Sequence, residues 1–333
     1  DTVLPNMIHG KVLRSPHAHA KILSIDVTEA LAIPGVLAAI SGADFPGGGI
    51  EGEVGGEGGG TLDDVAKNVM ARDKVLYHGH AVAAVAAATS MAAEAALDAI
   101  KVEYEPLSPV LNVLQAMQAD ALLVNEDNYT NLPEKPEHPS NVANQGRLER
   151  GSLEEGFLAA DVVVEREFKC PMAHQGYIEP QACVASIDEQ GRGTVWCSTQ
   201  GHFEFRAATT KMLGKDLADL KFVPMEIGGG FGGKTVVYLE PLAVMLSEKS
   251  GRPVKMALNR EEVFRATGPA SGSVARIKVG AQRDGTITAA HAWIAYEAGA
   301  FAGAPYMPGA MAIFAPYQLE NFLVETFDVL VNK

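Results

Sequence analysis

Apolar and polar positions along this chain follow two periods, and the switches between them mark out strands and helices. Residues 8–27 read as two short strands around RSPHAHAKI, and IPGVLAAISGADF as a turn at Pro34-Gly35, a strand and a loop. Ala81–Ala88 is a small-residue strand. Ser90 then caps a helix over MAAEAALDAIK (91–101), and VEYEPLSPV alternates as a strand ending at prolines. This strand–helix–strand unit closes a first α+β domain at residue 110. Residues 111–145 are polar and proline-punctuated, NEDNYTNLPEKPEHPSN among them, and read as a linker or wrapping arm. From 146 onward the pattern resumes. GSLEEGFLAA carries Ser152 as N-cap with Glu155 as its capping-box partner, and DVVVEREFKC alternates as a strand. QACVASID and GTVWCSTQ pair around the turn Glu189–Gly193, and FEFRAATTKMLG is a helix stopped by Gly214. LKFVPMEI is a strand, TVVYLEPLAVMLSEKSG a helix closed by Gly251, and PVKMALN a strand. SVARIKVGAQRDGTITAAHAWIAYEAG is a hairpin about Asp284-Gly285. The division expected is thus 1–110, 111–145 and 146–333.

Two glycine-rich stretches interrupt this pattern. PGGGIEGEVGGEGGG (46–60) is acidic, has no lysine and no following helix of the kind a phosphate cradle needs, and reads as a surface excursion. Gly228-Gly229-Gly230-Phe231-Gly232-Gly233-Lys234-Thr235 differs: it follows a strand and reads as preceding a helix. Its glycines permit close backbone approach to a ligand, and successive N–H groups beside a helix N-terminus form an anion site. The same segment satisfies G-x-x-x-x-G-K-[ST], so a P-loop nucleotide-binding enzyme is one reading. Against it, the loop sits mid-domain, and no later strand ends in the aspartate that would hold magnesium; Asp328 falls inside a strand.

Composition narrows the partners. With 27 basic and 41 acidic residues the net charge is −14, which argues against nucleic acid or an anionic membrane surface. No apolar run reaches membrane-spanning length. Cys170, Cys183 and Cys197 lie in strand-like runs without C-x-x-C spacing and read as reduced core thiols in a cytoplasmic setting, not as a metal site or a disulfide framework. His17 and His19 have metal-like spacing, but nothing nearby completes a site, so no protein metal ligand is expected. His174 and Glu179, in HQGYIEPQ, read either as pocket-wall support or as structural, Glu179-Pro180 being a turn anchor.

GGGFGGK, preceded by STQ (198–200) with a helix and a strand between them, resembles the molybdenum hydroxylase large subunit of the xanthine dehydrogenase and aldehyde oxidase family. So do GKVLRSPHAHAKILSIDV, VLYHGHAVAAVAA and HQGYIEPQACVASID, in the family's order. The resemblance implies a small α/β hammerhead domain followed by the first, incomplete part of a mixed α+β molybdenum-cofactor domain. It implies a molybdenum–molybdopterin cofactor, in its plain or cytosine dinucleotide form, with protein side chains not bonding the metal. By position it assigns Gln200 to hydrogen-bond a molybdenum oxygen, and the loop of Gly229, Gly230, Phe231, Gly232 and Gly233 to approach the same centre. A neutral amide donor and fixed backbone dipoles suit that task.

The family's reaction is hydroxylation with water as the oxygen source. Its glutamate base is expected downstream of Lys333, so no catalytic residue is assigned within this chain. Purine-oxidising members carry Glu after the loop lysine; Thr235 stands here, which leans toward aldehydes or N-heteroaromatics. Thr235 and Phe301 are candidate substrate-pocket residues, with Glu297 and Tyr306 near the same funnel. Expected partners are the C-terminal remainder of the subunit, 2Fe-2S and FAD chains or domains, and a small-molecule substrate. Neither chain end reads as finished, so a truncation or one half of a split subunit is expected. A non-catalytic scaffold is the third reading.

Overall fold

The run Ala81–Ala87 is buried at all seven positions. Small side chains suit a strand covered on both faces, because alanine lets a helix lie close to the sheet. In the computed structural model, which describes residues 2–46, 50, 52–54 and 60–333, this strand is β7. Before it come β1 (Ile8–Arg14), β2 (Ala20–Asp26), α1 (Thr28–Leu31), β3 (Val36–Ser41), the short β4 (Glu53–Val54) and β5 (Gly60–Thr61), α2 (Leu62–Val69) and β6 (Lys74–Val75); α3 (Ser90–Ala99) and β8 (Lys101–Pro106) follow it. Then come α4 (Val113–Ala116), β9 (Val142–Arg150), α5 (Leu153–Leu158), β10 (Val162–Cys170), β11 (Ala182–Ile187), β12 (Gly193–Cys197), α6 (His202–Met212), β13 (Leu220–Pro224), α7 (Glu240–Ser250), β14 (Val254–Ala257), α8 (Arg260–Ala266), β15 (Ser273–Ala281), β16 (Ile287–Gly299), α9 (Tyr306–Ala312) and β17 (Phe322–Leu330).

These elements form two compact units. The first comprises residues up to Ser108 together with His174–Pro269; the second comprises Pro109–Ala173 and Ala270–Lys333. In the first, a seven-stranded mixed sheet has the order β13-β12-β11-β14-β1-β7-β3, with a three-stranded sheet β6-β2-β8 beside it. Ala83, Val85 and Ala87 pack with Ala93 and Ala96 of α3, whereas Ala84 and Ala86 share a core with Leu242, Val244 and Leu246 of α7. The large sheet draws β1, β3 and β7 from before residue 110 and the rest from after residue 174, so a division in chain order separates strands that share hydrogen bonds. In the second unit a five-stranded sheet has the order β10-β15-β16-β17-β9. Its β15–β16 hairpin turns at Asp284-Gly285, as expected, with Gly285 at φ +94.

Several local expectations are corrected. A helix, α2, does follow the 46–60 loop. Leu62, Ala66 and Val69 share its buried face, and Thr61 accepts from Asp64 N–H. Residues 47–49, 51 and 55–59 of that loop lie outside the described residues. Thr89, not Ser90, caps α3. The 111–145 arm contains α4 and is pinned by buried Asn141, which accepts from Val124 N–H and donates to Ala116 and Leu122 carbonyls. Cys170 is exposed, unlike Cys183 and Cys197. It ends β10, an edge strand open on both faces.

The helix expected from Thr235 begins only at Glu240. The β-branched Thr235-Val236-Val237 favours other backbone conformations, and Pro241 sits in the first turn, where proline is tolerated. Glu240 accepts from Tyr238 and Leu239 N–H groups, and burial pushes its carboxyl up to about 7. A carboxyl raised in the folded state binds more protons there than when unfolded. Stability from this group is therefore greatest at low pH and falls as pH rises from about 4.5 through about 7. Buried Asp328, raised to about 6, acts in the same direction. We expect Glu240→Gln to remove a loss on the order of 2 kcal/mol between pH 5 and pH 8. Urea midpoints measured across that range check this; parallel wild-type and variant curves would refute it.

Candidate active site

Strand direction brings the chemistry-bearing segments together. β12 and β13 are parallel neighbours joined by α6, so the residues after both strands emerge at one end of the sheet. Ser198-Thr199-Gln200 follows β12, and the glycine loop follows β13. β11 runs antiparallel to β12, so the segment leading into it, Tyr177 to Gln181, reaches the same end. β14 is antiparallel to β11, which delivers Leu258 and Arg260 there as well.

At this end Gln200 and the loop interlock. Gln200 Oε1 accepts from Gly232 N–H at 3.0 Å and from Lys234 N–H at 3.1 Å. Gln200 N–H donates to the Lys234 carbonyl at 2.9 Å, an oxygen that Thr199 Oγ1 also reaches. With its oxygen engaged by two backbone donors, the Gln200 amide must present its NH2 away from them. Gly230 has to be glycine: a Cβ there would lie 2.4 Å from Gln200 Oε1. Gly233 is held as tightly, 2.6 Å from the Tyr177 ring. Between them Phe231 adopts φ +49 with its ring largely exposed. A left-handed non-glycine residue persists only where its surroundings over-determine it, and such strain gathers at functional sites.

The loop amides divide into two groups. Gly228 N–H donates to Glu179 Oε2, Gly232 and Lys234 N–H to Gln200, and Gly233 N–H to the Gly230 carbonyl. Among the described residues, the N–H groups of Gly229, Gly230 and Phe231 have no partner. These are three successive backbone donors with no protein acceptor, the kind of group that can take an electron-rich ligand. Thr235 Oγ1 donates to the Gly232 carbonyl at 2.7 Å, bracing the loop's far end.

Lys234 does not serve as a P-loop lysine would. Its side chain is fully buried and its Nζ lies 2.6 Å from Glu179 Oε2. The loop is also separated from the start of α7 by residues 235–239, so it does not lead directly into that helix's N-terminus as a P-loop does. This pair escaped the sequence reading; the one signal was a Glu-Pro just ahead of a strand, which names no cationic partner. Beneath the pair, Gln181 Nε2 bonds the Tyr177 hydroxyl and donates to the Gly233 carbonyl. His174 Nδ1 accepts from Gly176 N–H, so in the neutral ring the proton sits on Nε2 and goes to Thr267 Oγ1; burial holds the ring's pKa down. Phe301 belongs to the second unit, in the loop between β16 and α9, as does Glu297, whose carboxylate binds Lys333. Tyr306 opens α9. His17 lies edge-on to Tyr104, and His19 Nδ1 meets the Ser108 carbonyl. Among the described residues no group of three or more His, Cys, Asp or Glu side chains could hold a metal, and no helix is long and apolar enough to cross a membrane.

Comparison with known proteins gives the family of the chain. Residues 134–333 match the family described as molybdopterin cofactor-binding domain, and residues 1–108 the aldehyde oxidase and xanthine dehydrogenase a/b hammerhead domain. A probable xanthine dehydrogenase subunit of Bacillus subtilis is 32% identical over all of this chain and 42% of its own length. The nicotinate dehydrogenase large molybdopterin subunit of Eubacterium barkeri is 29% identical over all of this chain and 74% of its own. Among solved structures, reconstituted CO dehydrogenase from Oligotropha carboxidovorans superposes with a TM-score of 0.86 at 28% identity, covering all of this chain and 42% of that one. Quinoline 2-oxidoreductase from Pseudomonas putida 86 gives 0.86 at 26% identity, with the same coverage. The chain thus spans less than half the length of several relatives. An α/β hammerhead domain followed by part of a mixed α+β cofactor-binding domain, with its glycine loop and Gln200 at one sheet end, belongs to the molybdopterin-binding large subunits of the xanthine dehydrogenase and aldehyde oxidase family.

Proposed function

We propose that this chain supplies one wall of a molybdenum-cofactor pocket in an enzyme that hydroxylates an aldehyde or an N-heteroaromatic carbon. The observation that carries this reading is an exposed Gln200, bonded to the glycine loop through its oxygen so that its NH2 is left over, beside N–H groups of Gly229, Gly230 and Phe231 that have no protein acceptor. The donor set fits a cofactor of oxo and pterin character, since it is made of neutral N–H groups. When bound, the molybdenum–pterin group supplies the two-electron oxidation and takes its oxygen from water. The chain's own residues orient that group. Gln200 Nε2 donates to an oxygen acceptor without surrendering a proton, and the amide row stabilises negative charge that builds during the reaction.

Thr235 bears on the substrate. Its hydroxyl turns back to Gly232, so the chain offers no carboxylate at that position for a purine ring. Two similar proteins are named for nicotinate and quinoline, which favours N-heteroaromatics. Electrons leave, in this reading, through 2Fe-2S and FAD partners in the cytoplasm, and the remainder of the molybdenum subunit contributes the base and most pterin contacts.

The test is metal analysis of the complete subunit produced with its iron–sulfur and flavin partners. We expect stoichiometric molybdenum, and products from aldehyde or N-heteroaromatic substrates that carry oxygen from isotopically labelled water. A well-folded complex without molybdenum sinks the proposal. Saturable ATP binding that disappears in Lys234→Ala would instead establish the nucleotide enzyme.

A further inference from the structure

Lys234 is a fully buried cation, and the loop it closes is the one that offers open amides. Its ammonium meets Glu179 Oε2 at 2.6 Å and lies 5.2 Å from the centre of the Tyr177 ring. The same carboxylate oxygen accepts from Gly228 N–H at 2.7 Å. One side chain thus ties the first glycine of the loop to the lysine at its end. Gln181 adds a bond to the Gly233 carbonyl, and Gln200 engages the N–H groups of Gly232 and Lys234. All of these anchors act on residue 228 or on residues 232–234, and the amides of 229–231 stay open.

A buried ammonium is strongly unfavourable without its counter-charge. Displacing Glu179 would strand Lys234 and free Gly228 together, because one carboxylate oxygen holds both, so the ion pair and the loop conformation are coupled. We infer that Glu179 and Lys234 form a latch. They are positioning residues that set the loop amides and the Gln200 carboxamide at the spacing the cofactor requires. This inference rests on the cofactor reading above. Lys234 acts by facing inward, and its contribution reaches the site only through the loop backbone.

The experiment uses the complete enzyme with its partners and three variants: Glu179→Gln, Lys234→Met and the double substitution. Hydrogen–deuterium exchange of the peptide spanning 226–236 is expected to accelerate about tenfold in each single variant, with β11, β12 and β13 unchanged. The double variant is expected to exchange no faster than the singles, since both remove one latch. kcat is expected to fall about tenfold or more with KM nearly constant, as misplaced groups lose transition-state contacts before substrate binding. Should Glu179→Gln fail to fold, Lys234→Met decides, because the partly exposed Glu179 it leaves can be hydrated. Unchanged exchange in the loop, additive effects in the double variant, or an unaltered kcat overturns the latch, even in an enzyme full of molybdenum. Faster loop exchange in the variants of an enzyme whose wild type holds no molybdenum supports the latch and overturns the cofactor reading instead.

Discussion

Replacing Gln200 with leucine in the complete enzyme is expected to lower kcat by about a hundredfold, the usual consequence of deleting one preorganised donor. Leucine is close to glutamine in size, so the loop is not crowded, but two functions vanish together. The NH2 that faces outward is lost, and the N–H groups of Gly232 and Lys234 lose their acceptor. Leaving the part-buried Lys234 N–H unpaired adds about 1 kcal/mol of destabilisation, whereas the exposed Gly232 N–H can turn to water. Gln200→Glu separates the two functions. Its carboxylate still accepts from both loop amides but donates nothing outward. We expect it to keep the loop's exchange protection and to lose turnover as leucine does. Steady-state kinetics beside loop exchange read both effects, and a Gln200→Glu enzyme of wild-type kcat would remove the outward donor from the account.

A second large effect is expected far from the loop. Leu242 is fully buried at the start of α7, the helix that packs on β11, β3 and β14. Leu242→Ala deletes methyl groups from a closed core and leaves a cavity, and we expect about 3 kcal/mol of lost stability, within a range of about 2–5. Met91→Ala, at a highly exposed position on α3, is the control and should stay within about 0.5 kcal/mol. Urea midpoints at equal slope report the difference. Equal effects at the two positions would mean that α7 does not sit in a packed core.

Much of the fold was legible in the chain because local patterns carried it. β7 was readable from its alanines, the β15–β16 turn from Asp-Gly, and the end of α6 from Gly214. The association of STQ with GGGFGGK was legible as motif order, and the parallel pairing of β12 with β13 turns that order into proximity. Other features escaped because they depend on neighbours distant in sequence. The start of α7 was misplaced by five residues' worth of apolar text, which a periodicity cannot tell from a helix until Pro241 and the Glu240 carboxylate set its first turn. Cys170 read as a core thiol from its alternating strand, but burial depends on which strands flank it, and β10 has a neighbour on one side alone.

The order of strands, the helix stops and the glycine-rich site were written in residue types, since turn chemistry, β-branching and glycine's freedom act within a few positions of themselves. Which loop amides stay open, and where the buried lysine finds its carboxylate, emerged from folding alone. Glu179, Gln200 and Lys234 are far apart along the chain, and nothing local connects them. Their contact exists because adjacent strands deliver three segments to one end of a sheet, where a buried charge must find its opposite.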